Sequence, residues 1–225
     1  MVEDGSNPVG RPRKGTGPQL SRSSIVDGAF RVLQREGIAG VTIRKLASEL
    51  GVRSASLYWH VSNKHDLLQL MADEICRGIR RPEPSDSWEK QVWSIAHAYR
   101  DRLRTLRDSP TILLATAPTT PERLAIIEEI LALFSQAGFS GRDVLLAASM
   151  INDYVVSFAL NESHQADQQA GADPGSLFQH LSRDRFPHIR ELAPHMMMDD
   201  LDTHFEYGLE VILMGLRARL NEIGG

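Results

Sequence analysis

Apolar residues recur along this chain at intervals of three and four, the repeat of one helix face, in nearly every segment between its turns. Ile25, Val26, Ala29, Phe30, Val32 and Leu33 predict a first helix that begins after Ser21 and stops at Gly37. Ile43, Leu46, Ala47 and Leu50 predict a second, opened by Thr42 as N-cap and closed by Gly51. A short third helix is expected from Ser54 to His60, held by Ala55, Leu57 and Val61. A fourth, capped by Ser62 or Asn63, runs to Ile79 and carries Leu67, Leu68, Leu70, Met71 and Ile75. Pro82 and Pro84 then mark a boundary.

The same repeat continues beyond it. A helix from Ser87 to Arg107 carries Trp88, Val92, Ile95, Tyr99, Leu103 and Leu106, and a short one spans Pro110 to Ala117. Thr120 and Pro121 open the next, which ends at Gly138. Ser140 with Asp143 resembles a capping box ahead of a long helix to Leu160. Residues 162 to 175 are polar and read as loop, and a last helix runs from Leu201 to Leu220. No segment alternates as a strand would and no internal repeat is evident, so the fold class is all-α. The helices over 144–160 and 201–220 are apolar on more than one side, which calls for burial on several sides. Gly208 and Gly215 are spaced so that another helix can approach closely.

Charge changes the picture. The net charge is −4, yet residues up to Arg80 balance to +4 and the remainder to −8. A basic module on an acidic body suits a DNA reader whose other part does something else. With 225 residues and 42% hydrophobic content the chain can hold one large domain, or a small one and a large one. No unbroken run of about 18 apolar residues and no apolar leader is present, so a cytoplasmic protein without a membrane span is expected. Cys76 is the single cysteine and reads as an apolar filler. No phosphate-binding Gly-Lys-Thr loop and no Gly-x-Ser-x-Gly elbow occurs, and His164, His180, His188, His195 and His204 have no metal-ligand spacing. Neither enzyme activity nor a metal or cofactor is therefore expected.

The stretch from Thr42 to Leu68 holds the chemistry. A helix, a glycine turn and a second short helix describe a helix-turn-helix, and Ser54, Ser56, Tyr58, Trp59 and His60 point outward from it. Two adjacent large aromatics on so short a helix cannot both be buried. At a groove they can touch thymine methyls while their polar tips reach phosphates. Lys64 stands where a charge can meet a phosphate. Residues 1 to 20 are predicted to be disordered, with Arg11 and Arg13 in a Gly-Arg-Pro-Arg-Lys core. That core suits either a minor-groove arm or a nonspecific basic tail.

Gly40 to Leu68 resembles the DNA-binding region of the tetracycline repressor (TetR) family, above all the branch that carries Leu-Tyr-Trp-His-Val-x-Asn-Lys, here Leu57 to Lys64. The resemblance implies a three-helix helix-turn-helix domain over 21–81, linked by its fourth helix to a larger helical ligand-binding and dimerisation domain over 82–225. It implies that Thr42, Ser56, Tyr58, His60 and Lys64 line the groove or meet phosphates, and that Arg44, Ser54, Ala55 and Trp59 lie near base edges. Arg53, Ser54 and Ala55 depart from the tetracycline repressor's own residues at the start of the recognition helix, so a different operator is expected.

The likeness continues more weakly through Pro118-Thr119, Gln136 to Ser140 and Gly208-Leu209-Glu210. It implies a small-molecule pocket, with Ile95, Tyr99, Leu103, Leu113, Leu114, Ile130, Phe134, Met150 and Tyr154 as lining. It also implies a homodimer formed through Ile151, Val155, Phe158, Phe205, Leu209, Ile212 and Leu216. Leu113 and Ala117 stand where the tetracycline repressor has the histidine and arginine that help hold its magnesium–drug chelate. A largely apolar effector is therefore expected, and the expected function is a ligand-responsive repressor of a palindromic operator. A transcriptional activator of the same family and an architectural DNA binder without ligand are the alternatives.

Overall fold

The computed structural model describes residues 20–83, 86–168, 178, 180–196 and 200–224. Every regular element among them is a helix. They are α1 (Arg22–Gly40), α2 (Ile43–Glu49), α3 (Ser54–Leu57), α4 (Lys64–Arg77), α5 (Trp88–Thr105), α6 (Ser109–Leu114), α7 (Pro121–Gln136), α8 (Arg142–Gln168), α9 (Pro187–Met196) and α10 (Leu201–Gly224). The arginines of the N-terminal arm, Arg11 and Arg13, lie outside the described residues.

Local signals in the sequence account for most helix ends. Ser21 and Ser24 form a reciprocal capping box, with Ser24 N–H donating to Ser21 Oγ at 3.1 Å and Ser21 N–H to Ser24 Oγ at 2.9 Å. The regular turns of α1 break at Gly37, where the first helix was expected to stop. That residue bends the chain at φ 68° and helical turns resume as far as Gly40. α6 ends at Leu114, three residues short of the expected Ala117. α8 runs eight residues past Leu160 because polarity misled at Glu162, which is a buried partner of Arg100 and not a solvated loop residue. α9 has no counterpart among the expected helices; Pro194 inside it breaks the sequence signal. α8 also contains a window, Arg142–Gln165, long and apolar enough to cross a membrane. Only an unbroken apolar run was expected to mark such a helix; here polar residues are interspersed and part of the window is buried in the protein.

α4 joins the two halves, packing on α1 at one side and on α6 and α7 at the other. Its Leu67, Met71, Ala72 and Ile75 are fully buried. Asp73 on the same helix is buried too. Its Oδ2 accepts from Arg22 at 2.8 Å, while its Oδ1 accepts from the Glu122 amide at 2.8 Å. Asp73 thus caps α7 from another helix. Thr120, expected to do so, makes no capping bond and its buried hydroxyl has no partner.

A second polar junction ties α5, α8 and α10. Arg100, buried, donates to Glu162 at 2.6 and 3.1 Å and to the Leu201 carbonyl at 3.1 Å, and it pairs with Asp202 at 2.8 Å. Its guanidinium lies over Phe205, 4.4 Å from the ring centroid.

Candidate nucleic-acid interface and ligand region

Thr42 Oγ1 accepts from the Lys45 amide at 3.2 Å, which starts α2 and leaves the hydroxyl proton free to donate. The exit from α2 is a Schellman turn. Gly51, at φ 65°, donates to Ser48 O at 3.3 Å, and Val52 donates to Ala47 O at 3.0 Å. α3 is a single turn, anchored by Leu57 with no exposed surface. Tyr58, Trp59 and His60 therefore lie in the turn that follows and not in the helix. His60 and Val61 donate back to Leu57 O at 2.8 and 2.9 Å, and Val61 is buried. Ala55 is exposed, a correction to its expected packing role that leaves it available at a groove. A one-turn helix has too few positions to bury both Ala55 and Leu57.

Trp59 is 89% exposed and Tyr58 56%, values no core role accommodates. Ser56 and His60 are exposed beside them, and Ser54 is half-buried. α4 begins with Asn63 Oδ1 accepting from the Asp66 amide at 3.0 Å, answered by Ser62 N–H donating to Asp66 Oδ2 at 3.1 Å.

Ion pairing sorts the cations of the first four helices. Arg22 is bound to Asp73, Arg31 and Arg35 share Glu49, Lys45 meets Glu36, and Arg77 meets Glu74 and Glu122. Hydrogen bonds from Arg31 and Arg35 hold the Glu49 carboxyl below its ordinary range. From α2 to the start of α4, Arg44, Arg53 and Lys64 have no carboxylate partner among the described residues. Arg53, marked by sequence as a departure at the start of the recognition helix and not as a DNA contact, is exposed at the N-cap of α3.

The residues expected to line a ligand pocket do not share one environment. Ile95, Tyr99, Leu103, Leu113 and Phe134 are packed in the core, and Ile130 is half-buried. Burial pushes the Tyr99 phenol well above its ordinary range. Leu114 is instead 62% exposed and Met150 49%. Tyr154 is engaged between α8 and α10. Its hydroxyl donates to Phe205 O at 2.8 Å, and a side chain at Gly208 would come within 2.3 Å of the Tyr154 hydroxyl. Gly208 thus serves a contact inside the protomer, whereas Gly215 faces open space.

The expected dimer residues need the same correction. Ile151, Val155, Phe205, Leu209 and Leu216 are buried within the protomer, and Phe158 and Ile212 are partly so. The apolar side chains that α8 and α10 present outward are Leu145, Leu146, Met150, Tyr207, Val211 and Met214. Between these helices runs an open groove of about 430 Å³, lined by Leu146, Met150, Val211, Gly215 and Leu216, with Asp143 and Arg219 paired at 3.5 Å on its wall. Among the described residues no three His, Cys, Asp or Glu side chains converge on one point.

Two family models match the chain. One, bacterial regulatory proteins of the tetR family, covers residues 25–71, and the other, the tetracyclin repressor-like C-terminal domain, covers 81–220. An HTH-type transcriptional regulator of Saccharopolyspora erythraea is 34% identical over 216 residues, 92% of this chain and 90% of its own length. The class D tetracycline repressor protein of Escherichia coli is 32% identical over 209 residues, 91% and 93% of the two chains. Apo ActR of Streptomyces coelicolor superimposes with a TM-score of 0.80 at 30% identity, covering 91% of this chain and 98% of its own. ActR has also been solved with actinorhodin (TM-score 0.79, 28% identity, 89% and 97% covered).

Proposed function

We propose a mechanism that starts from one fact: this chain belongs to the tetR family of bacterial regulatory proteins. It is a ligand-responsive, DNA-binding transcriptional repressor. Within the family it falls in the branch marked by Leu57 to Lys64, with residues 21–81 reading DNA and 82–225 holding effector and partner. It works in the cytoplasm, where its DNA target lies.

The observation that carries the DNA reading is the front of α2, α3 and α4, where Tyr58 and Trp59 stand in solvent and Arg44, Arg53 and Lys64 have no carboxylate partner among the described residues. Arg44 reads a guanine, and Ser54, Ala55 and Trp59 meet neighbouring base edges. Thr42, Ser56, Tyr58, His60 and Lys64 hold the backbone, and Arg11 and Arg13 follow a minor groove. Two protomers join through the outward face of α8 and α10, which sets their recognition helices about 34–36 Å apart on a palindromic operator.

A small, largely apolar effector enters the α5–α7 region among Ile95, Tyr99, Leu103, Leu113 and Phe134. Ligand-bound ActR supports a small-molecule effector. The Tyr99 phenol remains protonated at neutral pH and serves as a donor. α4 packs on both α6 and α7, so a ligand-driven shift of either moves α4 and the recognition helices with it. A coupling of about 1–3 kcal/mol lowers operator affinity roughly 5–150-fold. With Leu113 and Ala117 at the chelating positions, tetracycline with magnesium should leave operator binding unchanged in a gel-shift titration. Release of DNA would contradict the apolar pocket.

Selection of bound sites from random DNA tests the central claim. A palindrome preferred by about 10³-fold or more over random sequence is expected. Binding without such preference would turn the protein into an architectural DNA binder.

A further inference from the structure

The DNA-reading front and the α5–α6 connection meet at one residue. Ile38, in the bend of α1, donates its N–H to Asp108 Oδ2 at 2.7 Å. Its carbonyl accepts from Lys64 Nζ at 2.9 Å and from the Val41 amide at 3.3 Å. Left-handed backbone frames the contact on both sides. Gly37 has φ 68°, and Asp108, at φ 53°, has the single positive φ among the described non-glycine residues. A side chain at Gly37 would meet Asp108 Oδ2 at 3.1 Å and the Arg107 guanidinium at 3.3 Å. Arg107 adds a bond to the Gln34 carbonyl at 3.1 Å.

Aspartate enters the left-handed region more readily than most side chains, and here its carboxylate is tied down across the fold. Asp108 opens α6 without capping it, so its carboxylate is directed at α1 instead. The bond spans 70 residues of sequence and is part-buried.

We propose that Asp108 is a positioning residue for DNA binding: by fixing Ile38 it holds the carbonyl that in turn orders the Lys64 ammonium at the front of α4. This rests on the reading of Lys64 as a phosphate contact. An ammonium has three donors, and the Ile38 carbonyl takes one, leaving two for phosphate oxygens. A long side chain that is already ordered loses less rotamer freedom when it docks. Without the Asp108 bond, the segment between Gly37 and Gly40 loosens, the carbonyl drifts and Lys64 must be ordered by DNA itself. Asp108 belongs to the ligand-binding half, so a shift of α6 also reaches Lys64 by this route, through the start of α4.

The test is a double-mutant cycle on a labelled DNA duplex of arbitrary sequence, since a phosphate contact is independent of sequence. Asp108→Gly removes the carboxylate while glycine keeps the left-handed backbone at no steric cost. Anisotropy titrations at one salt concentration compare the full chain, Asp108→Gly, Lys64→Ala and the double variant. Asp108→Gly is expected to weaken binding by about 2- to 10-fold, the cost of ordering one long side chain. In the Lys64→Ala background it is expected to cost nothing more. Equal loss in both backgrounds, which general destabilisation would also produce, overturns the proposal, as does wild-type binding by Asp108→Gly. Wild-type binding by Lys64→Ala is a separate failure: it removes the phosphate contact itself, and the proposal with it.

Discussion

Lys64 and Glu162 illustrate how much a single side chain's role depends on its neighbours. Lys64 stands out in sequence because it ends a family motif, but its bond to the Ile38 carbonyl is a product of folding. Lys64→Ala should weaken binding to all DNA sequences alike and lower the slope of log affinity against log salt by about one. Titrations at several salt concentrations check this, and an unchanged slope removes Lys64 from the phosphate contacts. Glu162 reads in sequence as an ordinary solvated residue, yet it is buried against Arg100, with Asp202 completing the junction. Glu162→Gln leaves a buried guanidinium partly uncompensated, at a cost of about 3 kcal/mol. For a chain of this size that corresponds to a fall in melting temperature of about 6–12 °C. A calorimetric shift under about 2 °C would mean that Asp202 alone satisfies Arg100.

At the level of elements, caps and glycines were readable and faces were not. Ser21, Thr42, Gly51, Asn63 and Ser87 each act within a few residues of their own position, so they place the starts of α1, α2, α4 and α5 and the stop of α2 from sequence. α7 broke the rule, because its cap is Asp73 of α4, a residue far from Thr120 in sequence. Periodicity likewise identified α8 and α10 as apolar on several sides without saying which side meets the protomer's own core. The family resemblance assigned Val155, Phe205 and Leu209 to a partner, and the fold buries them internally. The outward set makes the testable surface. Val211→Glu combined with Met214→Glu puts two charges on side chains that are now 51% and 62% exposed, so the protomer should fold as before. Light scattering should then report a monomer, and operator affinity should collapse. A dimer that survives both substitutions uses another face.

For the whole molecule, charge asymmetry foretold a basic reader on an acidic body, and pairing refined it. Most arginines of the first four helices are held by carboxylates, so the positive front comes from the few cations left over. Arg11 and Arg13 are proposed to follow a minor groove beside it. Deleting residues 1–19 should reduce affinity mainly for operators with A·T-rich flanks, measured on paired duplexes that differ only there. Equal loss on both would make the arm a nonspecific attractor. The all-helical fold, the helix-turn-helix and its outward aromatics were legible in sequence, since helix periodicity, caps and a contiguous motif are properties of residues close along the chain. The ligand region was far less so: the nine residues expected there divide among the core, solvent and the α8–α10 contact. Sequence alone determined the all-helical class, most of the helices, the family and the helix-turn-helix, because each depends on short-range order. Only the tertiary structure decided which apolar side faces solvent, that Asp73 caps α7, and that Asp108 reaches Ile38 behind Lys64. These are contacts between residues tens of positions apart, and no local pattern encodes the direction in which a folded side chain finds its partner.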